Sequence, residues 1–415
     1  MTALEHQGAL AREAARTLAI AGTAKKNEAL AAIADILTVR QEEWLAANAA
    51  DIEAARENGM RPAMLDRLTL TPERVKGIVD AVRQVIALPD PIGRVTKMET
   101  RPNGLIIGKR TVPLGVIAII FEARPNVTVD AAALCLKSGN VCILRGGKEA
   151  FRSNMAVTKL MREALVSVGL PEDCISLVQD TSRETAGELM HLDKYVDVLI
   201  PRGGAGLIRT VAKEASVPVI RTGEGVCHIY IDSEADLDMG AKILYNAKCS
   251  RPSVCNAVEC VLINEAVAKD FLNKAVPLLD THNVELRCDE AALSLLGSRG
   301  IPAQESDWDA EYDDYILAVR IVKDVEEAMN FIAAHSTMHS ECIITNNYFT
   351  AQHFLDAVDA AAVYVNASTR FTDGGEFGLG AEIGISTQKM HARGPMGLEE
   401  LTSCKYVIYG EGQIR

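Results

Sequence analysis

Apolar positions along residues 3–90 recur at three and four, in segments rich in alanine, leucine and glutamate such as EALAAIADIL and WLAANAADIEAAR, and this period predicts helix almost throughout. Gly22 and Gly59 punctuate the run, and Pro89 and Pro91 end it. The period then changes. METRPNGLIIGKRTVPLG, from residue 98, places Asn103-Gly104 between two extended arms, a hairpin signal. The arms mix charge with apolar residues, as an arm reaching out from the body would. Such a ribbon needs a partner for its apolar face and reads as a subunit contact, with a meander packed on its own domain as the alternative.

From residue 116 the pattern becomes regular. Apolar runs VIAIIF (116–121), VCIL (141–144), CISLV (174–178), VDVLI (196–200) and VPVI (217–220) alternate with helical stretches. Continuous apolar strands separated by amphipathic helices predict a parallel sheet covered on both faces, the architecture of dinucleotide-binding domains. A second α/β block follows a boundary near Gly225, with strands HIYID (228–232), VECVLI (258–263), YILAVRIV (315–322) and ECIIT (341–345). After AAVYVNAST comes a glycine-rich run from Asp373 to Gly384. The closing strand CKYVIYG (404–410) is an orphan that would suit the hairpin near residue 104.

Composition narrows this little. A chain of 415 residues, 48% hydrophobic and 24% charged, reads as an ordinary soluble protein with room for two or three domains. The formal charge of −13 speaks against a nucleic-acid partner. No run approaches the roughly 20 apolar residues of a membrane span, and MTALEHQGALAREAAR lacks the apolar core of a secretory signal. A cytoplasmic location is expected. Ten cysteines contain no C-x-x-C pair, so neither a zinc site nor a disulfide scaffold is expected, and most should be small buried hydrophobes.

Candidate chemistry gathers at four places. PRGGAGLI (201–208) follows a strand and opens a helix, so Gly203 and Gly204 could free backbone N–H groups for an anion; a tight turn reads as well. In LRGGKEA (144–150), Arg145 and Lys148 could meet the 2′-phosphate that separates NADP from NAD, against the alternative of a solvated turn. In NAKCSRPSVCNAVECVLI (246–263), Cys255 lies in a loop before a strand with Arg251 near, where a thiol can ionise and attack. Cys249 and Cys260 compete, and spacing alone leaves Cys255 at even odds. Asn126, after the first strand of the parallel sheet, could donate to an oxyanion or cap its helix.

These residues carry a resemblance. PLGVIAIIFEARPNVTVDAAALCLKSGNVCILRGGKEA resembles the first βαβ unit of the aldehyde dehydrogenase superfamily. RPSVCNAVE and EIGISTQKMHARGPMGLEELTSCKYVIYG are similar to its gamma-glutamyl phosphate reductase branch, and the likeness spans essentially the whole chain. It implies an aldehyde-dehydrogenase-like α/β fold: a parallel-sheet cofactor domain (1–98 and 114–225), an α/β catalytic domain (226–364), oligomerisation strands (99–113 and 400–415) and a return segment (365–399). It also implies NADPH as cofactor, no metal, a homo-oligomer, and Cys255 as nucleophile with Asn126 at the oxyanion-hole position. Glu311 falls where the superfamily holds the nicotinamide ribose, although Asp313 replaces the usual aromatic two positions on. The implied reaction is reduction of L-glutamyl 5-phosphate in proline biosynthesis, with functional association with glutamate 5-kinase.

One departure is informative. Hydrolytic members use an E-L-G-G glutamate to activate water, and matching by the downstream D-L-D puts Thr222 there, with Glu224 two residues away and its role open. An enzyme that releases its thioester to phosphate needs no such base. Arg251 is a candidate phosphate or thiolate partner, and His391 and Arg393 are candidates for the substrate carboxylate. The rivals are a hydrolytic NAD(P)-dependent aldehyde dehydrogenase and a cofactor-independent cysteine acyltransferase or hydrolase, which would need a histidine beside the thiol.

Overall fold

The computed structural model describes residues 1–415, apart from the side chains at positions 62, 63 and 205. It divides into two compact units. The first is Met1–Thr222 with Gly378–Gly384 and Met396–Arg415; the second is Gly223–Phe377 with Ile385–Pro395. The stretch 365–399 is therefore shared, residues 365–377 and 385–395 belonging to the second unit.

In the first unit, helices Ala3–Leu18, Thr23–Val39, Gln41–Glu57, Pro62–Leu68 and Pro72–Ala87 account for the alanine-rich start. The first opens in a capping box, the Thr2 side chain accepting from the Glu5 N–H while the Glu5 carboxylate accepts from the Thr2 N–H. A four-stranded parallel sheet follows, in the spatial order Ile175–Leu177, Val141–Arg145, Val116–Phe121, Val198–Arg202. Every residue of Val116–Phe121 is buried, which is why that run is apolar without alternation. The run 217–220 does not become a strand. Pro218 has no N–H to give to a ladder, and only a bridge between Val219 and Leu199 forms.

A separate antiparallel sheet of the same unit joins Val95–Thr100, Ile106–Pro113 and Thr402–Tyr409. The hairpin turns at Gly104, which takes a φ of +85° that favours glycine. The closing strand pairs with the second hairpin arm from Thr402↔Pro113 to Tyr409↔Ile106, the partnership suggested by two orphan strands.

The second unit is built on seven parallel strands, ordered Gly300–Pro302, Glu285–Cys288, Ile316–Val322, Val258–Asn264, Cys227–Ile231, Ser340–Ile344, Ala362–Val365. Alternate residues feed two cores: Ile229, Ile231, Val261 and Ile263 face one side, Tyr230, Cys260 and Leu262 the other. Three strands escape the sequence pattern, Glu285–Cys288, Gly300–Pro302 and Ala362–Val365. They are short and lie at or beside the sheet edges, where burial is partial and no long apolar run is required. Among the described residues no helix is long and apolar enough to cross a membrane.

Candidate active site

In the second unit, helix Leu237–Cys249 hands the chain to the central strand Val258–Asn264 through a loop that carries Cys255. Pro252 cannot extend the helix, so the loop is held by side chains instead. Asn256 is buried, and its amide donates to the carbonyls of Arg370 at 3.2 Å and Thr372 at 3.0 Å. Thr369 returns a bond from its hydroxyl to the Asn256 carbonyl at 2.7 Å. The Cys255 carbonyl accepts from the Cys227 thiol at 3.2 Å. Gly225 lies so close that a Cβ there would sit 1.6 Å from the same carbonyl oxygen, so no other residue fits without moving the backbone. The Gly225 N–H in turn donates to Glu311 Oε1 at 3.1 Å. Two sequence candidates distant along the chain, Cys255 and Glu311, thus meet through a glycine.

The same unit decides among the thiols. Eight of the ten cysteines are buried, Cys404 is exposed, and Cys255 is half-exposed. Burial pushes the competitor Cys249 up to about 11 and also raises Cys260, which faces a core from its strand. A thiol that resists ionisation is a poor nucleophile. Of the three thiols in this segment, Cys255 is the one that lies on a loop and keeps part of its surface exposed.

Charge surrounds this loop. Lys248, at the end of the preceding helix, and Glu259, at the start of the following strand, form a fully buried pair at 2.6 Å. Burial raises the Glu259 carboxyl to about 8, against the pull of Lys248. Arg370 donates to Ser250 Oγ at 3.2 Å and to Asn256 Oδ1. Burial, then Arg251, lower its guanidinium from the ordinary value, opposed by Asp373 and Cys255. His339 Nδ1 lies 3.8 Å from Cys227 Sγ and 2.8 Å from Ser340 Oγ, and burial lowers it to about 4, so it is neutral near pH 7. His228 Nδ1 is 3.0 Å from Glu341. Neither arrangement is that of a cysteine hydrolase's base. Arg393 donates to Asp359 at 2.7 Å beside Lys389, which pairs with the same carboxylate; His391 is exposed with a φ of +70°.

The first unit holds the anion candidates. Gly203 and Gly204 join strand Val198–Arg202 to helix Ala205–Glu214, and Gly204 is the N-cap. Its N–H donates to Glu122 Oε2 at 3.2 Å, and a Cβ on Gly203 would lie 2.7 Å from the Glu122 carboxyl carbon. An exposed carboxylate thus makes the contact that a cofactor's anionic oxygen would make at a helix N-terminus, so these residues fit such a group. Arg145 is anchored inward, donating to the carbonyls of Thr181 at 2.6 Å and Ser182 at 3.1 Å, while Lys148 is exposed. Asn126 lies in the first turn of helix Pro125–Lys137, and its amide donates to Asp130 at 3.0 Å. Burial lifts that carboxyl to about 6. Thr222 gives its hydroxyl to the Pro201 carbonyl at 2.8 Å.

Sequence reasoning passed over Arg370, Gly225, Glu122 and the Lys248–Glu259 pair. Arg370 sits in STRF, between AAVYVNAST and the glycine-rich run, with no motif of its own. A glycine in RTGEGV was the only available signal for Gly225.

Comparisons with known proteins add to this geometry. Over 409 residues the chain is 58% identical to the gamma-glutamyl phosphate reductase of Clostridium perfringens strain SM101, covering 99% of this chain and 98% of that one. It is 57% identical over 412 residues to the enzyme of the same name from Moorella thermoacetica, with the same coverage. The crystal structure of gamma-glutamyl phosphate reductase from Thermotoga maritima matches with a TM-score of 0.97 at 47% identity, over 100% of both chains. An acetylating aldehyde dehydrogenase from Geobacillus thermoglucosidasius shares the fold alone, at a TM-score of 0.72 and 16% identity, covering 99% of this chain and 97% of that one. The aldehyde dehydrogenase family model matches residues 3–293, and the chain belongs to that family.

Proposed function

We propose that the chain reduces L-glutamyl 5-phosphate to L-glutamate 5-semialdehyde with NADPH, through a thioester on Cys255, as a step of proline biosynthesis. One observation carries the reading. In a chain 58% identical to a named gamma-glutamyl phosphate reductase, the thiol on the loop before the central strand of the second unit is the half-exposed one.

The Cys255 thiolate attacks the γ-carbonyl carbon, forming the C–S bond, and the C–O bond to phosphate breaks with its electron pair leaving on phosphate. The Cys255 N–H, on a backbone held by Asn256 and Gly225, is the first proposed donor to the oxyanion that develops, and Asn126 the second. Gly203, Gly204 and Lys148 are the proposed cofactor contacts, Arg145 acting by holding the loop after Thr181, and Glu311 is retained as a ribose contact. The nicotinamide, when bound, supplies hydride to the thioester carbon. Collapse of the hemithioacetal then returns the thiolate. Because an acyl phosphate hydrolyses readily, the reading includes functional association with glutamate 5-kinase. His391 and Arg393 remain candidates for the substrate carboxylate, Arg393 being engaged with Asp359.

The test runs the reaction backwards. Semialdehyde and NADP should turn over only when phosphate is supplied, because the Thr222 hydroxyl, bonded to a carbonyl, offers no base to activate water. Equal rates with and without phosphate would make this a hydrolytic aldehyde dehydrogenase.

The three-stranded antiparallel sheet is the proposed subunit contact. Its Val95, Met98, Tyr406, Ile408 and Tyr409 are exposed, and large apolar side chains gathered on one sheet mark an interaction surface. Ile408→Lys is expected to shift sedimentation toward a smaller species with the circular dichroism unchanged. An unaltered sedimentation coefficient would remove the sheet from the contact.

A further inference from the structure

We infer that Arg370, together with Arg251, forms the subsite that holds the phosphate of the acyl phosphate beside Cys255; this rests on the function proposed above. The guanidinium of Arg370 binds Ser250 on one side and Asn256 on the other, so it brackets the five residues from Arg251 to Cys255. Its own backbone is held in return, because the Asn256 amide donates to the Arg370 carbonyl and the Thr369 hydroxyl to the Asn256 carbonyl. A half-buried arginine fixed at both ends is a prearranged cation. Its named contacts use two of the five N–H donors that a guanidinium carries.

Among the described residues neither Arg251 nor Arg370 forms an ion pair with a carboxylate. Two like charges brought to the same loop from different parts of the chain repel, and burial, then Arg251, lower the Arg370 guanidinium. An arrangement of that kind is stabilised by an anion between or beside the two, and a phosphate suits the fork of a guanidinium. The chemistry says where such an anion must sit. When the thiolate reaches the carbonyl carbon at about 3–3.5 Å, the phosphorus, two bonds beyond that carbon, stands within roughly 5 Å of the sulfur. A fixed cation on the side of the thiol from which the acyl phosphate approaches therefore lies beside the leaving group. In the forward direction Arg370 takes up charge as the C–O bond breaks and the electron pair passes to phosphate oxygen. In reverse it holds inorganic phosphate while its oxygen attacks the thioester carbon and the thiolate leaves.

The substrate offers a second anion, its α-carboxylate, at the far end of the carbon chain from the reacting carbonyl. Reverse kinetics separate the two, because phosphate and semialdehyde are then independent substrates. With NADP saturating, Arg370→Gln is expected to raise the KM for phosphate by about 10- to 100-fold, the loss of one or two charge-assisted hydrogen bonds. The KM for semialdehyde should stay within about threefold. Arg370→Lys should recover part of the loss, since it keeps the charge without the fork. In the unsubstituted protein, inorganic phosphate should slow the alkylation of Cys255 by iodoacetamide, and Arg370→Gln should abolish that protection.

A KM for semialdehyde that rises in step with that for phosphate would assign Arg370 to the α-carboxylate and overturn the subsite, as would an unchanged phosphate KM. If Arg370→Gln fails to fold, Arg251→Gln at an exposed position carries the same measurement. An unsubstituted enzyme indifferent to phosphate overturns the function reading and the subsite with it; a phosphate-dependent one that Arg370→Gln leaves unaltered overturns the subsite alone.

Discussion

Cys255→Ser is expected to lower turnover in both directions below about one percent of the parent, because a serine hydroxyl is far harder to ionise than a thiol. The fold should survive. The side chain is half-exposed on a loop, and the change removes little volume, so stability should move by less than about 1 kcal/mol. Mass spectrometry gives an independent reading. With semialdehyde and NADP but no phosphate, the parent should accumulate an acyl adduct on the peptide that carries Cys255, and the variant none. Residual activity above a percent or so, or an adduct on Cys249, would transfer the nucleophile elsewhere.

The largest effect on stability should come from Lys248→Met. Lys248 and Glu259 are 0% and 1% exposed and 2.6 Å apart, and Glu259 Oε1 has no hydrogen-bond partner among the described residues. Removing the ammonium leaves a carboxyl in an apolar interior, which typically costs about 3–5 kcal/mol. The pH dependence has a definite sign. Glu259 has a folded pKa of about 8, above the value of roughly 4.3 it would have unfolded. Its proton therefore stabilises the fold most below that unfolded value, and the contribution is lost as pH rises toward 8. Without Lys248 the window extends higher, so the gap between variant and parent should widen above pH 8. Denaturant unfolding at pH 6 and 9 measures this. The double variant Lys248→Met with Glu259→Leu should recover most of the loss, because an apolar pair leaves no charge to bury. A single variant within about 1 kcal/mol of the parent at both pH values would mean that the pair contributes nothing.

Cys255 and the Lys248–Glu259 pair differ in how much of each is encoded locally. Cys255 was visible as a thiol before an apolar strand, because a loop with proline next to a buried run leaves a local signature. Lys248 and Glu259 were visible only as charges of opposite sign in the same segment, a pattern that surface helices share. Their pairing depends on a helix end and a strand start meeting, which no local period encodes. Arg370 is harder still. It reaches the loop from a turn more than a hundred residues later, through contacts with Ser250 and Asn256.

The two turn motifs depend on contacts of different kinds. Gly203 and Gly204 sit at a strand-to-helix junction, as a βα turn in sequence suggests, because that geometry is set by adjacent residues. Arg145 and Lys148 share one turn and look alike in sequence. Only packing against Thr181 and Ser182 turns the first inward and leaves the second exposed.

By itself the sequence determined the alanine-rich helices, the long buried strands, the hairpin at Asn103-Gly104 and the place of Cys255 on a loop before a strand. All of these follow from burial periods and turn residues read over a few positions. Tertiary structure alone decided which thiol escapes burial, which arginine stands over the nucleophile loop and why position 225 admits only glycine. Those outcomes depend on distances between segments far apart in the chain, and a residue carries no mark of the neighbour it will meet until the backbone has folded.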